Sequence, residues 1–112
     1  MAIYVVNVII DQGADFQQTF DLAAANDEPL DLTGYTASAQ LRKHATSKLF
    51  YDFTVTFTDR VNGQIKLALT DTITKRIKAG RYIYDLLLTD SNLEKTKILE
   101  GSALVRESAT RE

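Results

Sequence analysis

The sequence contains no cysteine and no tryptophan, one proline (Pro29) and one histidine (His44). The lack of cysteine excludes disulfide bonds, thiolate catalysis and sulfur-ligated metal sites. A catalytic triad or a histidine-based zinc site needs partners that a single histidine does not have. We therefore expect His44 to be an exposed residue of a polar turn. The five glycines are isolated from one another, so they form no phosphate-binding glycine loop.

Charge and hydropathy exclude further classes of function. The formal net charge is −2 and the pI is about 5.4, so no overall attraction to nucleic acid or anionic lipid is expected. The longest apolar run, residues 3–10, is far shorter than the about 20 residues that a membrane-spanning helix needs. The chain has neither the basic start nor the small-residue cleavage site of a signal peptide. We expect a soluble, unprocessed protein that binds neither nucleic acid nor a membrane.

Acidic residues are concentrated in the first third of the chain. They are Asp11, Asp15, Asp21, Asp27, Glu28 and Asp31. Glycosidase chemistry would require two of them in a cleft, one with a pKa raised by burial, whereas these lie in predicted loops or on outward strand positions. The oxygen ligands of residues 26–31 suit calcium, but their spacing matches no established calcium-binding loop. We predict no catalytic residue, no metal site and no cofactor, and therefore no enzyme.

The strongest positive signal is the alternation of apolar and polar residues between Leu49 and Leu88. Three segments, residues 53–58, 64–70 and 81–88, alternate with a period of two. Successive side chains of a strand point to opposite faces, so each segment predicts a strand with one apolar face and one polar face. Turn residues separate the segments, which is typical of an antiparallel sandwich or barrel.

The whole chain predicts an all-β, immunoglobulin-like antiparallel β-sandwich of about seven strands. One short helical turn is expected near residues 71–77, because Ile73 and Ile77 lie four residues apart on one helical face. Tyr82 begins the following strand and fits the role of a tyrosine corner, whose hydroxyl bonds to loop backbone. We predict one domain over residues 1–107 and a polar tail over residues 108–112.

The densest basic cluster follows the predicted helical turn. It consists of Lys75, Arg76, Lys78 and Arg81. No exposed aromatic residues are interleaved with these cations, as they are in a nucleic-acid-binding platform. We therefore interpret the cluster as a solvated surface.

The amino-terminal strand is apolar on both faces, so both faces need a cover. Either the strand crosses between the two sheets and contacts the core with each face in turn, or one face contacts another subunit. In the predicted strand over residues 81–88, Ile83 and Leu87 interrupt the polar face, and they extend the second possibility. The predicted protein interface comprises Tyr4, Val6, Val8, Ile10, Ile83 and Leu87.

The order of turn phrases resembles the small β-sandwich of virion structural proteins of tailed bacteriophages. The phrases are, in order, Gln12–Phe16, Pro29–Thr36, Gln40–Arg42, Asn62–Ile65, Ala79–Leu86 and Glu100–Val105. They are similar to the N-terminal domain of upper-baseplate proteins and to related tail-fibre attachment domains, over residues 10–106. In those proteins an Asp-Leu-Thr-Gly phrase opens one strand and an Ala-Gly phrase precedes a tyrosine-containing strand.

The resemblance implies a virion subunit that mediates protein–protein assembly in a baseplate, neck, fibre attachment or capsid decoration. Its implied partners are other virion structural proteins, and many copies are expected in a symmetric assembly. The implied location is the virion, after a soluble stage in the host cytoplasm. The related domains head longer polypeptides, whereas this sequence ends at Glu112, so the resemblance implies an attachment unit without its own receptor-binding head.

A carbohydrate-binding β-sandwich is the alternative hypothesis. Such a module would bind glycans through Tyr4, Tyr35 or Tyr51, or through the acidic loop of residues 26–31. It requires coplanar, exposed aromatic rings, but these tyrosines mostly fall in inward register and the chain has no tryptophan.

Overall fold

Alternating apolar residues build two β-sheets that pack face to face in the computed structural model, which describes residues 4–24 and 26–110. The elements of this part are β1 (Tyr4–Val5), β2 (Val8–Asp11), β3 (Phe16–Asp21), β4 (Thr36–Arg42), β5 (Phe50–Asp52), β6 (Thr54–Asp59), β7 (Gln64–Leu69), α1 (Asp71–Thr74), β8 (Gly80–Thr89) and β9 (Lys95–Arg106). Sheet A has the order β1-β9-β8-β4-β5, with β2 also paired to β9, and sheet B has the order β3-β7-β6. The predicted immunoglobulin-like β-sandwich is confirmed.

The core lies between the inward faces of the two sheets. On β7 the inward residues Ile65, Leu67 and Leu69 are buried, while the residues between them are half-buried. Sheet A contributes fully buried side chains such as Leu41 and Leu86. Burying one such side chain stabilises the fold by about 1.5–3 kcal/mol, so the alternating pattern is the main source of stability.

The amino-terminal strand pairs parallel to β9 along both of its halves, β1 and β2. Val8 lies beside Ala103 and Ile10 lies beside Val105. Neighbouring residues of paired strands share a face, so Val8 and Ile10 enter the core with these two partners. The strand therefore stays in sheet A instead of crossing between sheets, and sheet A is mixed instead of wholly antiparallel.

The alternation predicts one strand from about Leu49 to Thr58, but the structure has two strands there, in different sheets. β5 pairs with β4 in sheet A, and β6 pairs with β7 in sheet B. Phe53 lies between them, buried, with its backbone N–H donating to the carbonyl oxygen of Ala39 at 3.0 Å. Its ring centroid lies 6.0 Å from that of Phe16 and 5.9 Å from that of Tyr84. Because the two-residue period continues through Phe53, the sequence alone shows no break.

The helical turn α1 closes one end of the core and is shorter than predicted. Thr74, which is fully buried, anchors it: its hydroxyl donates to the carbonyl oxygen of Ala14 at 2.9 Å and accepts the backbone N–H of Gly13 at 3.1 Å. The hydroxyl of Tyr82 donates to the carbonyl oxygen of Lys78 at 2.6 Å. This hydrogen bond confirms the predicted tyrosine corner.

The connections between strands fall at two ends of the sandwich. β4 runs from Thr36, paired with Thr89, to Arg42, paired with Ile83, which fixes the direction of the neighbouring strands. We call the end that carries α1, the β4–β5 loop and the start of β8 the α1 end. We call the other end, which carries residues 22–35 and 90–94, the loop end.

The predicted tail is tied to the domain at its beginning. The hydroxyl of Ser108 donates to the carbonyl oxygen of Gln12 at 2.7 Å. Residues 1–3, 25, 111 and 112 of the predicted domain and tail lie outside the described residues.

Candidate functional site

Apolar side chains are exposed on the outer face of sheet A. Val5, Ile9 and Ile83 are 70%, 52% and 42% exposed. We call these three residues the outer patch. Ile9 lies beside the half-buried Leu104, and Ile83 lies beside Ser102 on the same strand, β9. Large apolar side chains grouped on one face of a soluble domain are typical of an interaction surface.

A shallow concave surface of about 480 Å³ includes part of the outer patch. Val5 and Ile83 line it. The ammonium group of Lys97 lies between two carboxylates on the same surface, 3.6 Å from Asp85 and 3.8 Å from Glu100. These groups are about half exposed, so the pairs contribute little to folding stability. The surface thus combines apolar contact points with charged neighbours that stay hydrated.

Two residues of the outer patch, Val5 and Ile9, lie at a free edge of the sheet. β1 and β2 pair with β9 on one side only, among the strands of the described residues. The edge is interrupted at Asn7, whose side-chain oxygen accepts the backbone N–H of Ser102 at 3.0 Å. An edge strand presents unpaired N–H and C=O groups, which can pair with a strand of another chain. This edge therefore offers both backbone groups and apolar side chains to a partner.

The structure corrects most of the predicted interface on the amino-terminal strand. Val8 and Ile10 are 7% and 0% exposed, because they pack in the core of their own chain. Tyr4 and Val6 are half-buried against the same core, and the hydroxyl of Tyr4 accepts the backbone N–H of Ala23 at 3.0 Å. The face predicted to meet a partner is therefore the core face of this strand.

The other two predicted interface residues lie on the outer face of sheet A. Ile83 is exposed, and Leu87 is half-buried between the buried residues Leu86 and Leu88. Sequence reasoning missed Val5 and Ile9, but a signal was present. The polar residue Asn7 lies on the same face of the strand as these two, whereas the opposite face is uniformly apolar.

Two carboxyl groups in the first third of the chain, those of Asp11 and Asp31, have lowered pKa values, which favours their charged form. Arg106 forms a two-point ion pair with Asp11, with distances of 2.8 and 3.2 Å, and lowers the pKa of this carboxyl. Hydrogen bonds from the hydroxyl and backbone N–H of Thr33 lower the pKa of Asp31. A general acid requires the opposite shift.

The described residues contain neither a cluster of metal ligands nor a membrane-spanning helix. No group of three or more His, Cys, Asp or Glu side chains is placed to hold a metal ion in residues 4–24 and 26–110. His44 is exposed in the β4–β5 loop, as predicted. Within the described chain, no helix is long and apolar enough to cross a membrane.

The three tyrosines of the carbohydrate hypothesis do not form one platform. All three are half-buried. Tyr4 contacts the backbone of Ala23 near the loop end, and Tyr35 directly precedes β4 at that end. Tyr51 lies near the α1 end, where its hydroxyl is 3.5 Å from the carbonyl oxygen of Arg76.

No protein-family model matches the sequence, and no curated protein matches it. Among solved structures, an internalin-like protein of Listeria monocytogenes is similar, with a TM-score of 0.47 and 16% identity over 95% of this chain and 28% of that chain. A family 123 glycoside hydrolase from Clostridium perfringens is similar with a TM-score of 0.43 and 12% identity over 94% of this chain and 23% of that chain. The chain thus spans less than a third of the length of either protein.

Proposed function

We propose that this chain is a structural subunit of a tailed-phage virion, which assembles by burying its outer patch against a neighbouring virion protein. The observation that carries the proposal is the exposure of Val5, Ile9 and Ile83 on one face of sheet A, where Val5 and Ile9 belong to the free edge. Each side chain keeps a large exposed fraction within the described residues, and removing this remaining apolar area from water in a complex is favourable.

The edge gives the contact a defined geometry. A partner strand that pairs with β2 would bond to the free side of Val8–Asp11, while Ile9 points outward from the sheet. This is the arrangement of strand addition, in which backbone hydrogen bonds supply affinity and alternate side chains supply specificity. The charged group of Lys97, Asp85 and Glu100 forms a polar surround, as the rim of an interface does.

The assignment to a virion is supported by the ordered turn phrases. The Asn-Gly phrase lies at the turn between β6 and β7, where Gly63 has a φ of 72°. The Ala-Gly phrase ends at Gly80, the first residue of β8, and Gly101 lies within β9. The phrases that carry the resemblance thus fall on the connections and pairings of a β-sandwich, the fold that the resemblance implies.

The size of the outer patch favours assembly in many copies. Burying one large apolar side chain contributes about 1.5–3 kcal/mol, and association itself has an opposing entropic cost. Three such residues alone therefore support a weak contact. Repetition of the contact around a symmetric ring multiplies its effect without any new chemistry.

The test is incorporation of variant chains into particles. The double variant Val5→Asp/Ile9→Asp should lower the copy number of this chain in purified particles about tenfold or more, measured by quantitative mass spectrometry. The isolated variant should still fold, because both residues are exposed. A matched control is Thr54→Asp/Thr56→Asp on the exposed outer face of sheet B. Absence of the wild-type chain from particles, or normal incorporation of Val5→Asp/Ile9→Asp, would overturn the proposal.

A further inference from the structure

A second concave surface, of about 500 Å³, lies at the α1 end and is strongly cationic. The β4–β5 region supplies Arg42 and Lys43, and the segment after α1 supplies Arg76 and Lys78. Of the described residues that line this surface, none carries a carboxylate. We call it the cationic pocket. Its four positive charges are concentrated on a chain whose net charge is −2.

The cationic side chains of the pocket contact neutral groups. Their positive charge is therefore not neutralised within the described residues and can attract an anionic ligand. The Lys43 ammonium lies 5.0 Å from the centre of the Tyr82 ring, and the Arg42 guanidinium lies 4.7 Å from that of Phe50. Arg42 also donates to the carbonyl oxygen of Ser47. In the described part of the chain, the ion pairs are formed by Lys97 and Arg106, so no carboxylate there pairs with the pocket.

The wall that carries the other two cations is fixed in place. The hydroxyl of Tyr82 donates a hydrogen bond to the carbonyl oxygen of Lys78. The hydroxyl of Tyr51 lies 3.5 Å from the carbonyl oxygen of Arg76. Leu49 adds an apolar side chain that is 70% exposed. The pocket therefore presents prearranged positive charge beside an apolar surface, which suits an acidic peptide segment.

The loop end of the same chain carries a segment of that kind. This segment folds back on itself: the backbone N–H of Ala24 donates to the carbonyl oxygen of Glu28 at 2.8 Å, and Ala23 bridges Pro29. Asp27, Glu28 and Pro29 are exposed on it. Asp31 follows, and its hydrogen bonds from Thr33 keep it ionised. We call residues 26–31 the acidic hairpin.

We infer that copies of this chain associate head to tail, with the acidic hairpin of one copy bound in the cationic pocket of the next. The two surfaces are complementary in charge, and each also carries apolar groups, Leu49 in the pocket and Pro29 on the hairpin. Two cationic pockets, or two acidic hairpins, would repel each other, so charge favours the head-to-tail arrangement. The inference rests on the proposed assembly function, since it names a second copy as one partner.

The geometry of the contact has a consequence for the assembly. The pocket and the hairpin lie at opposite ends of a molecule whose longest dimension is 44 Å. A contact between two different surfaces of identical subunits generates a ring when the rotation closes and a filament when it does not. Each copy therefore binds two neighbours with the ends of the sandwich, which leaves the outer patch free for a different virion protein.

Sedimentation of the purified full chain tests the contact. The wild-type chain should associate with increasing concentration at low ionic strength, and high ionic strength should weaken the association about tenfold or more, because salt screens charge pairs at a surface. Two reversal variants, Arg76→Glu/Lys78→Glu and Asp27→Lys/Glu28→Lys, should each remain monomeric. An equimolar mixture of the two should form heterodimers, because one variant retains the hairpin and the other retains the pocket.

The controls separate charge at the ends from charge in general. Lys66→Glu, on the outer face of sheet B, changes the net charge half as much as Arg76→Glu/Lys78→Glu does and should leave the association unchanged. Circular dichroism verifies that each variant is folded. A wild-type chain that stays monomeric, association insensitive to salt, or reversal variants that associate like the wild type would overturn the inference.

Failure of this inference is distinguishable from failure of the proposed function. Val5→Asp/Ile9→Asp leaves both ends intact and should associate head to tail like the wild type. If the reversal variants enter particles normally while Val5→Asp/Ile9→Asp does not, the head-to-tail contact is wrong and the outer patch remains the assembly surface.

Discussion

Gly101 lies directly against the carbonyl group of Val6, so closely that a Cβ atom at position 101 would overlap the carbonyl oxygen. The same carbonyl accepts a hydrogen bond of 2.6 Å from the hydroxyl of Tyr84, whose pKa is raised to about 12 by burial. Because Gly101 has no side chain, the backbone of the amino-terminal strand can lie close to β9 at Val6. Tyr84, opposite Gly101 on β8, fills the remaining space.

Gly101→Ala should destabilise the protein by about 1–3 kcal/mol, because the new methyl group can fit only if the amino-terminal strand moves away. Chemical denaturation measures the loss, and faster hydrogen exchange of β1 and β2 should accompany it. The neighbouring change Ser102→Ala is the control, since that side chain is directed to the outer face. Equal stability of Gly101→Ala and the wild type would contradict the close approach.

Val8→Asp and Val5→Asp should differ sharply in stability, although the two residues lie on the same edge strand. Val8 is buried, so an unpaired carboxylate there should cost about 3 kcal/mol or more. Val5 is 70% exposed, and its replacement should change the free energy of unfolding by less than about 1 kcal/mol. Thermal unfolding monitored by circular dichroism makes the comparison. Similar losses in both variants would show that the two faces are wrongly assigned.

Tyr82→Phe should cost about 1–2 kcal/mol, because it removes the hydrogen bond to the carbonyl oxygen of Lys78 and keeps the ring. Tyr35→Phe is a matched control, since no hydrogen bond of the Tyr35 hydroxyl is found among the described residues. Equilibrium unfolding in urea measures both. An unchanged midpoint for Tyr82→Phe would remove the tyrosine corner as a contributor to stability.

The ion pair between Asp11 and Arg106 should make stability depend on pH at the acid end. The pKa of Asp11 is lowered from 3.8 in the folded chain, so its contribution is present above 3.8 and is lost as the pH falls through the folded value. Asp11→Asn should therefore be less stable than the wild type near pH 7, by less than about 1 kcal/mol for a surface pair. Thermal unfolding from pH 7 to pH 2 measures the difference, which should vanish at the lowest pH. A difference independent of pH would contradict this origin.

Local patterns were sufficient to predict most strands and one specific contact. The alternation of Ile65, Leu67 and Leu69 predicts β7 and its buried face, because the side-chain direction of a strand follows from its period alone. The position of Tyr82, at the start of a strand directly after the helical turn, predicts a hydrogen bond to loop backbone, and the structure places its partner, Lys78, four residues away. Such features depend on neighbours in the chain, which the sequence displays directly.

Two parts of the fold depend on partners that are distant in the chain. The sheet change at Phe53 follows from pairing β5 with β4 and β6 with β7, and the two-residue period passes through it unchanged. Arg42 and Lys43 join Arg76 and Lys78 in one pocket only because β4 and the start of β8 meet at the same end. Neither the sheet change nor the pocket can therefore be predicted from a local sequence pattern.

The amino-terminal strand shows the division most clearly. Its β-branched, apolar residues determine that it is a strand with two apolar faces. The face directed to the core is decided by the register of β2 against β9, whose paired residues are 95 positions apart, as in Val8 with Ala103. A shift of one residue in that register would exchange the two faces, and one polar residue, Asn7, is a weak local signal in a strand that is otherwise apolar on both sides.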